Sequence, residues 1–488
     1  MYRKRHKQIT LYENPLSFAD AKLSPDNRWI QMAQMIPWDS IEEKYFQTFE
    51  NPIVGNPARS CRMALGSLII KEKYQLSDVE TVAMIAENPY LQFFIGLSEF
   101  RSKTPFDAST MTLFRKRLSA EALAEINRMV IDAQAKDDDD TSDGGSSAGE
   151  PSPDSRVDSD AGNKGTLILD ATCAPADIHF PTDVSLLNEG REKLEEMVDT
   201  LHTADQGRKP RTYREGARKQ YMRFVRNRKP RMQQIRKAIR QQLNYVRRDL
   251  EIVKEQMNQS DRVLSSKQLQ YLETIQGLYQ QQKHMFDHHT HRIDNRIVSI
   301  HQPWVRPIVR GKATASVEFG AKVSISMSDG YAMIERLEWD AYNEAGSLVE
   351  TIEKFYERTG HYPNRILADK IYRNRTNLQY CDKHHIRFNG PKLGRPPKDK
   401  TIYAEQKRLE RLESGERNAV EGKFGEGKRC YGLNRVMTRL KGTSEVAIHV
   451  TFLVMNLEKR LRDLIFSIYR WLFGCTPKPQ LHKTGVAQ

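Results

Sequence analysis

Three carboxylates in the chain stand where a strand or a helix could present them to one point. Asp170 ends the apolar run 166–169, Asp369 lies in a second apolar run, 365–372, and Glu421 lies on a long helix. Three carboxylates around one point repel one another unless a cation lies between them, and their oxygens suit Mg²⁺ or Mn²⁺. Two such ions can activate a water or a 3′-hydroxyl and stabilise the leaving oxygen of a phosphodiester. These residues therefore predict metal-dependent phosphodiester chemistry.

The angular position of Glu421 distinguishes it from the other acids of its helix. At about 100° per residue, Arg417, Glu421 and Lys428 fall within about 40° of one another. On the same wheel Glu426 lies about 180° from Arg417, and Glu416 lies about 100° to one side. A second interpretation stays open, because Arg417 and Glu421 could form an ordinary i,i+4 ion pair on a solvated helix.

The elements that would position these residues follow the order of an RNase H-like α/β fold, a mixed sheet with helices on both faces. The strand that ends at Asp170 precedes a helical insertion, a hairpin, a helix, the strand bearing Asp369, a helix, a strand and the last helix. In such a sheet the first and fourth strands lie side by side, so Asp170 and Asp369 can meet. The predicted ranges are 316–328 and 331–341 for the hairpin, 343–360 for its following helix, 365–372, 374–385 and 386–389 for the next three elements, and a start near Ile402 for the last helix.

The predicted insertion, about 184–300, is unusually basic. Residues 208–248 hold sixteen Lys and Arg against one acid, Glu215, with aromatic residues between the cations. A solvated helix face normally alternates acids with bases, and this alternation is missing here. We therefore expect the insertion to contact phosphate backbones, with three arginines as candidates: Arg223, Arg226 and Arg228.

Residues 1–135 are predicted to form an all-α domain. Ser77 is a predicted N-cap, Asn88-Pro89 ends the helix that follows, and residues 107–110 open a further helix that runs on to about Val130. Short helices followed by a capped basic helix resemble a helix-turn-helix module, although any compact helical domain produces the same pattern. The candidate DNA contacts in this helix are Arg115, Lys116 and Arg117.

Composition divides the chain and indicates its partner. Residues 136–165 form an acidic Asp/Ser/Gly/Pro linker that cannot bury a core. The rest of the chain exceeds the overall net charge of +14 by about six charges, which fits a polyanionic partner. Five scattered cysteines without a C-x-x-C pair suit a reducing cytoplasm. The basic N-terminus has no apolar signal region, and charges interrupt the apolar stretch 446–473, so we expect a cytoplasmic protein with no membrane span. We expect the RNase H-like catalytic domain to span residues 166–460, followed by an amphipathic helix and tail over 461–488.

Four motifs in the same order resemble bacterial insertion-sequence DDE transposases. The spacing Arg-x₃-Glu-x₆-Lys at Arg417, Glu421 and Lys428 is similar to the signature around the catalytic Glu of that family. LILDATCAPADIHFPTDVSLLNEGRE resembles the segment with the first Asp, ILADKIYRN the segment with the second, and the N-terminal segment from NPARSCRMALGSLIIKEKY to DASTMTLFRKRL the domain that binds DNA. One position departs from the signature, because Ser414 stands where the family usually has Tyr.

The resemblance implies roles for individual residues. Asp170, Asp369 and Glu421 would hold Mg²⁺, for which Mn²⁺ can substitute, and Arg417 and Lys428 would contact the transposon end. The implied activity is cleavage at terminal inverted repeats followed by strand transfer to target DNA. A homodimer or larger assembly on DNA is expected because two ends must be joined, and the DNA-bound protein would associate with the nucleoid.

Two other functions are compatible with the same residues. A DNA-binding protein or repressor could keep this scaffold without catalysis, and a nuclease could cut without strand transfer. All three carboxylates are present, which favours an active enzyme over the first alternative.

Overall fold

The computed structural model describes residues 23–47, 58–140, 162–203, 207–309, 317–390 and 399–473. In chain order the helices of these residues are α1 (Arg28–Met35), α2 (Trp38–Gln47), α3 (Cys61–Tyr74), α4 (Asp78–Glu87), α5 (Pro89–Phe94), α6 (Thr110–Arg117), α7 (Ala120–Asp140), α8 (Asp183–Leu201), α9 (Arg214–Val225), α10 (Met232–Gln259), α11 (Ser266–Asp287), α12 (Leu348–Thr359), α13 (Arg375–Lys383), α14 (Lys400–Cys430) and α15 (Lys441–Phe473). The strands are β1 (Thr166–Pro175), β2 (Arg306–Val309), β3 (Val317–Ser328), β4 (Tyr331–Glu338), β5 (Arg365–Leu367) and β6 (Arg387–Phe388).

Among the N-terminal helices α1–α7, α4 begins and ends where the sequence predicts. The Ser77 hydroxyl accepts from the Glu80 N–H, and the Glu80 carboxylate accepts from the Ser77 N–H. Helix α4 therefore starts with a complete capping box. The predicted helix after 107–110 is wrong in one respect, because it is interrupted at Leu118 and Ser119. The Ser119 hydroxyl accepts from the Ala122 N–H at 3.2 Å and starts α7 as a new helix.

The six strands form one mixed sheet. Its order is β2-β3-β1-β5-β6, with β4 also paired to β3. β1 runs antiparallel to β3 and parallel to β5, and β5 runs parallel to β6. The predicted neighbours are therefore adjacent: the strand of Asp170 lies beside the strand that precedes Asp369. The hairpin turn is also as predicted, with Asp329 and Gly330 both at positive φ.

The structure differs from the predicted elements in β5, in β2 and at the start of the acidic linker. β5 covers three residues only, because Asp369 caps a short 3₁₀ turn over Lys370–Tyr372. β2 was not predicted as a strand, and it pairs with the beginning of β3 on the edge that β4 extends. The acidic linker lies for the most part outside the described residues, although α7 continues to Asp140 at its start.

The basic insertion between β1 and β2 is a helical unit with its own core. Helices α8, α10 and α11 pack together around buried aliphatic residues that include Leu187, Leu194, Val246 and Ile275. This core is separate from the two that flank the sheet. The insertion thus presents a folded surface beside the sheet.

Helix α15 connects the N-terminal helices to the sheet. It packs on α1, α3, α6, α7 and β4, and one continuous core contains residues of all these elements. At its centre Asn456 donates to Asn127 Oδ1 of α7 at 2.8 Å and to the Ala332 carbonyl of β4 at 2.7 Å. Helix α15 runs through residue 460 without interruption, and the N-terminal helices share a core with the sheet. Among the described residues no helix is long and apolar enough to cross a membrane.

Candidate active site

Asp170, in the middle of β1, lies beside Asp369, which follows the end of the adjacent parallel strand β5. In the β1–β5 pair, Ile168 stands opposite Leu367, and each carboxylate follows its strand residue by two positions. Asp170 continues along β1, whereas the chain leaves the sheet at Asp369, where Oδ1 accepts from the Lys370 N–H at 2.6 Å. The two acids interact, because the charge of Asp369 contributes to raising the pKa of Asp170.

The pKa of Asp170 is raised above its ordinary value, chiefly by burial. Two interactions oppose this shift. The Ala171 N–H donates to Asp170 Oδ1 at 2.8 Å, and the guanidinium of Arg417 lowers the pKa through its charge. The charges of Glu344 and Asp369 act in the opposite direction. Asp170 is therefore a partly buried acid among other acids, an environment that favours a nearby cation.

Helix α14 brings Arg417 and Glu421 to this point. The guanidinium of Arg417 lies 3.8 Å from Asp170 Oδ2 and donates to Glu421 Oε1 at 3.3 Å. The i,i+4 ion pair of the second interpretation is thus present, and the same arginine also faces the central strand. Arg417 is 21% exposed and Glu421 55%, so the pair lies where α14 passes from the sheet towards solvent.

The other acids of α14 are directed elsewhere, as the helical wheel predicts. Glu426 accepts from Arg462 of α15 at 3.2 Å, and Glu416 pairs with Arg365 of β5 at 2.7 Å. Lys428 lies on the sheet side, 3.9 Å from Glu318 of β3. Helix α14 is continuous over 31 residues and is not interrupted by its four glycines, Gly415, Gly422, Gly425 and Gly427.

The donor set fits a hard divalent cation in its chemistry. Asp170, Asp369 and Glu421 offer only oxygen, the ligand type that Mg²⁺ and Mn²⁺ prefer. In the described part of the chain, however, no three Asp, Glu, His or Cys side chains converge closely enough to hold a metal ion. Two of the three carboxylates instead lie against one guanidinium. Binding of a cation would thus require Glu421 and Arg417 to adjust.

The sequence did not single out Glu344, a further acid near the site. Its charge raises the pKa of Asp170, and its own carboxylate pairs with Lys322 Nζ at 2.7 Å. Glu344 begins the 3₁₀ turn before α12, directly after the β3–β4 hairpin. The sequence did contain a signal for Glu344. It is an acid in the first turn after the β3–β4 hairpin, and β3 pairs with the strand that contains Asp170.

The cations of the insertion divide into paired and unpaired groups. Arg214 is held by Asp199 at 2.9 Å and Arg247 by Glu251 at 3.1 Å. Arg223, Arg226 and Arg228, at the end of α9 and in the turn that follows, are exposed, and no described carboxylate pairs with them. This turn is therefore a concentrated positive surface.

The three N-terminal cations have different environments. Arg115 is buried and donates to both oxygens of Asp78, at 3.0 and 2.5 Å, so it stabilises the start of α4. The expectation that Arg115 contacts DNA is therefore not supported, because its guanidinium is enclosed. Lys116 is exposed, and Arg117 is half-buried. Burial raises the pKa of Tyr45 to about 12, and a hydrogen bond from Arg117 opposes the shift.

Comparisons with known proteins bear on both ends of the chain. Residues 17–117 match the transposase domain family DUF772, and residues 366–458 match the transposase DDE domain family. The second match contains Asp369 and Glu421, and Asp170 lies outside both. No solved structure matches the chain.

One curated relative is the uncharacterized protein ORF8 in the nfe locus of Rhizobium meliloti, 40% identical over 114 residues. The match covers 23% of this chain and 54% of that protein, so the chain spans about half the length of the curated relative. The two matched segments follow the same order as the motifs in the sequence, and the second contains Asp369 and Glu421, so the chain is similar to transposases in both segments.

Proposed function

We propose that this protein cuts DNA at the ends of its insertion element and joins the freed 3′-hydroxyl to target DNA. One observation carries the proposal: Arg417 lies against both Asp170 and Glu421, and Asp369 interacts with Asp170 from the adjacent strand. Three acids that are 199 and 52 residues apart in the chain are thus linked through Arg417 and through the pairing of β1 with β5. The strand order supports an RNase H-like catalytic domain.

In this proposal Asp170, Asp369 and Glu421 hold Mg²⁺ or Mn²⁺. The bound cation would activate the attacking water or 3′-hydroxyl and stabilise the leaving oxygen. Asp170 contributes a carboxylate that accepts from the Ala171 N–H and is partly kept from water. Arg417, beside Asp170 and Glu421, and Lys428, about two turns beyond Glu421 on α14, are the proposed donors to phosphate oxygens of the transposon end.

DNA binding extends from this site to other surfaces. The exposed turn with Arg223, Arg226 and Arg228 is proposed to follow the phosphate backbone, and Lys116 and Arg117 are proposed contacts of the N-terminal domain. Because joining requires two ends, we propose that a homodimer or larger assembly forms on DNA.

The test uses a labelled duplex that ends in the terminus of the element, taken from the DNA that flanks its coding sequence. Wild-type protein with Mg²⁺ should nick this duplex at the end and join it to target DNA. Glu421→Gln should bind the duplex and neither nick nor join it. Glu426→Gln is the matched control, because Glu426 lies on the same helix but pairs with Arg462, and it should retain activity.

Two results would contradict the proposal. If wild type and Glu421→Gln bind equally and neither cuts in Mg²⁺ or Mn²⁺, the protein is better described as a DNA-binding protein on a transposase scaffold. If Glu421→Gln cuts as well as wild type, the carboxylate assignment is wrong. Nicking without joining would leave a nuclease in place of a transposase.

A further inference from the structure

The guanidinium of Arg417 lies between two of the three candidate metal ligands. Its Nη1 is 3.8 Å from Asp170 Oδ2, and its Nη2 donates to Glu421 Oε1 at 3.3 Å. Arg417 therefore brings a positive charge to the place where the proposed function requires a divalent cation. Asp170 and Arg417 are both largely shielded from water, so a divalent cation and the guanidinium would repel each other there. The two cations thus compete for the same carboxylates.

The contacts of Arg417 with these two acids are weak. The separation from Asp170 exceeds the length of a hydrogen bond, so this contact is electrostatic. The contact with Glu421 is an i,i+4 pair on a helix surface, where water screens it because Glu421 is largely exposed. Neither contact therefore prevents the guanidinium from turning to a stronger partner.

The helix surface beside Arg417 is accessible to such a partner. Ser414, one turn before Arg417 and on the same side of α14 as Glu421, is small and exposed. The neighbouring acids of the helix have their own partners, since Glu413 pairs with Arg387 and Glu416 pairs with Arg365. Among the described residues, Asp170 and Glu421 are therefore the carboxylates from which a phosphate would take the guanidinium.

We propose that Arg417 blocks the cation site until a phosphate of the transposon end binds its guanidinium. A guanidinium binds a phosphate through two parallel N–H···O bonds, which are stronger than its contacts with Asp170 and Glu421. Once Arg417 turns to the phosphate, both carboxylates are left to the divalent cation. This order confines the chemistry to DNA ends that are already bound. The inference rests on the proposed function, because it requires these acids to hold the cation.

Blocking by Arg417 couples the two ligands in a measurable way. If the DNA end tightens cation binding by a given factor, the cation tightens DNA binding by the same factor. Such couplings are typically about 5- to 150-fold. A purely positioning role for Arg417 predicts the opposite sign, because a variant without the guanidinium would then bind the cation more weakly than wild type.

The test measures Mn²⁺ binding by electron paramagnetic resonance, with and without a duplex that ends at the element terminus. A dideoxy 3′ end prevents strand joining, and the Mn²⁺ bound by the duplex alone is subtracted. Wild-type protein should bind Mn²⁺ about 5- to 150-fold more tightly with the duplex, and Asp170→Asn should lose this Mn²⁺. Arg417→Gln should bind Mn²⁺ more tightly than wild type without DNA, and the duplex should then add less than about 3-fold.

Two further variants separate charge from structure. Arg417→Lys keeps the positive charge, so without DNA it should bind Mn²⁺ as weakly as wild type. Arg462→Gln is the matched control, because Arg462 pairs with Glu426 on the other side of α14, and it should behave as wild type. An equal gain in Arg417→Gln and Arg462→Gln would overturn the assignment to Arg417.

The failure of this inference can be distinguished from failure of the proposed function. If wild type binds Mn²⁺ equally with and without the duplex, but nicks and joins DNA in Mg²⁺, Arg417 does not block the site and the proposed function stands. Weaker Mn²⁺ binding by Arg417→Gln than by wild type would also overturn the inference, since Arg417 would then position the ligands. If wild type binds no Mn²⁺ that depends on Asp170, both are wrong.

Discussion

The guanidinium of Arg417 lies 3.8 Å from Oδ2 of Asp170, which joins helix α14 to the central strand β1. The same guanidinium donates to Glu421 one turn farther along α14. Arg417 therefore neutralises part of the negative charge around Asp170. It also links Asp170 to Glu421, the first and third of the three candidate metal ligands.

Replacing Arg417 with Gln should raise the pKa of Asp170 further. Arg417 lowers this pKa, whereas burial, Glu344 and Asp369 raise it, so removing the cation leaves only the Ala171 N–H to oppose them. The measurement is a titration of the Asp170 carboxyl carbon by NMR in metal-free protein, assigned by its loss in Asp170→Asn. Glu426→Gln should leave the value unchanged, and an equal shift there would show that α14 as a whole had moved.

Asp170→Asn should raise the melting temperature at pH 7 to 8. Because the folded-state pKa of Asp170 lies above its ordinary value of 3.8, the folded protein binds this proton more tightly than the unfolded chain. Ionised Asp170 therefore reduces stability above the folded-state pKa, and this cost disappears as the pH falls towards 3.8. Thermal unfolding from pH 4 to 8 should show the advantage of the Asn variant shrinking at low pH, and a constant or inverted difference would contradict the assignment.

Asn456→Ala should lower the free energy of unfolding by about 2–4 kcal/mol, because it leaves the buried Ala332 N–H and the Oδ1 of Asn127 without partners. Urea denaturation measures the change. Leu464→Ala, at an exposed position of the same helix, should stay within about 0.5 kcal/mol of wild type. A small effect at Asn456 would contradict a stabilising role for its hydrogen bonds to α7 and β4.

Arg115→Ala and Lys116→Ala should separate stability from DNA binding. Removing Arg115 breaks a largely buried ion pair with Asp78, which should cost about 3 kcal/mol of unfolding free energy. Lys116→Ala should change stability by less than about 0.5 kcal/mol and weaken binding to duplex DNA. Chemical denaturation and fluorescence anisotropy test the two variants, and a fully stable Arg115→Ala protein would contradict the structural role.

The triple variant Arg223→Ala, Arg226→Ala, Arg228→Ala should bind DNA with a weaker dependence on salt. If each arginine neutralises one phosphate, the slope of log K against log salt should fall by about 2–3. Lys283→Ala is a control on the same insertion, since Lys283 is paired with Asp287, and it should leave the slope nearly unchanged. An unchanged slope in the triple variant would exclude these arginines from the phosphate contact.

Local patterns in the sequence were sufficient for much of the fold. The Ser77 cap, the Asp329-Gly330 turn and the separation of Glu421 from Glu426 on α14 depend on neighbouring residues and helical periodicity, so they could be predicted. The sequence also placed Asp170 and Asp369 on elements that become adjacent strands. These features are determined over a few residues or by the order of elements.

Only the tertiary structure showed which charges are enclosed and which are free. Arg115 and Arg223 are both arginines on predicted basic helices. Arg115 is buried and paired with Asp78, 37 residues away, whereas no described acid pairs with Arg223. Glu344 next to Asp170 and the shared core around Asn456 likewise depend on contacts between distant segments. Charge pairing and burial depend on tertiary contacts between side chains that are distant in the sequence. Composition and periodicity carry no information about those contacts.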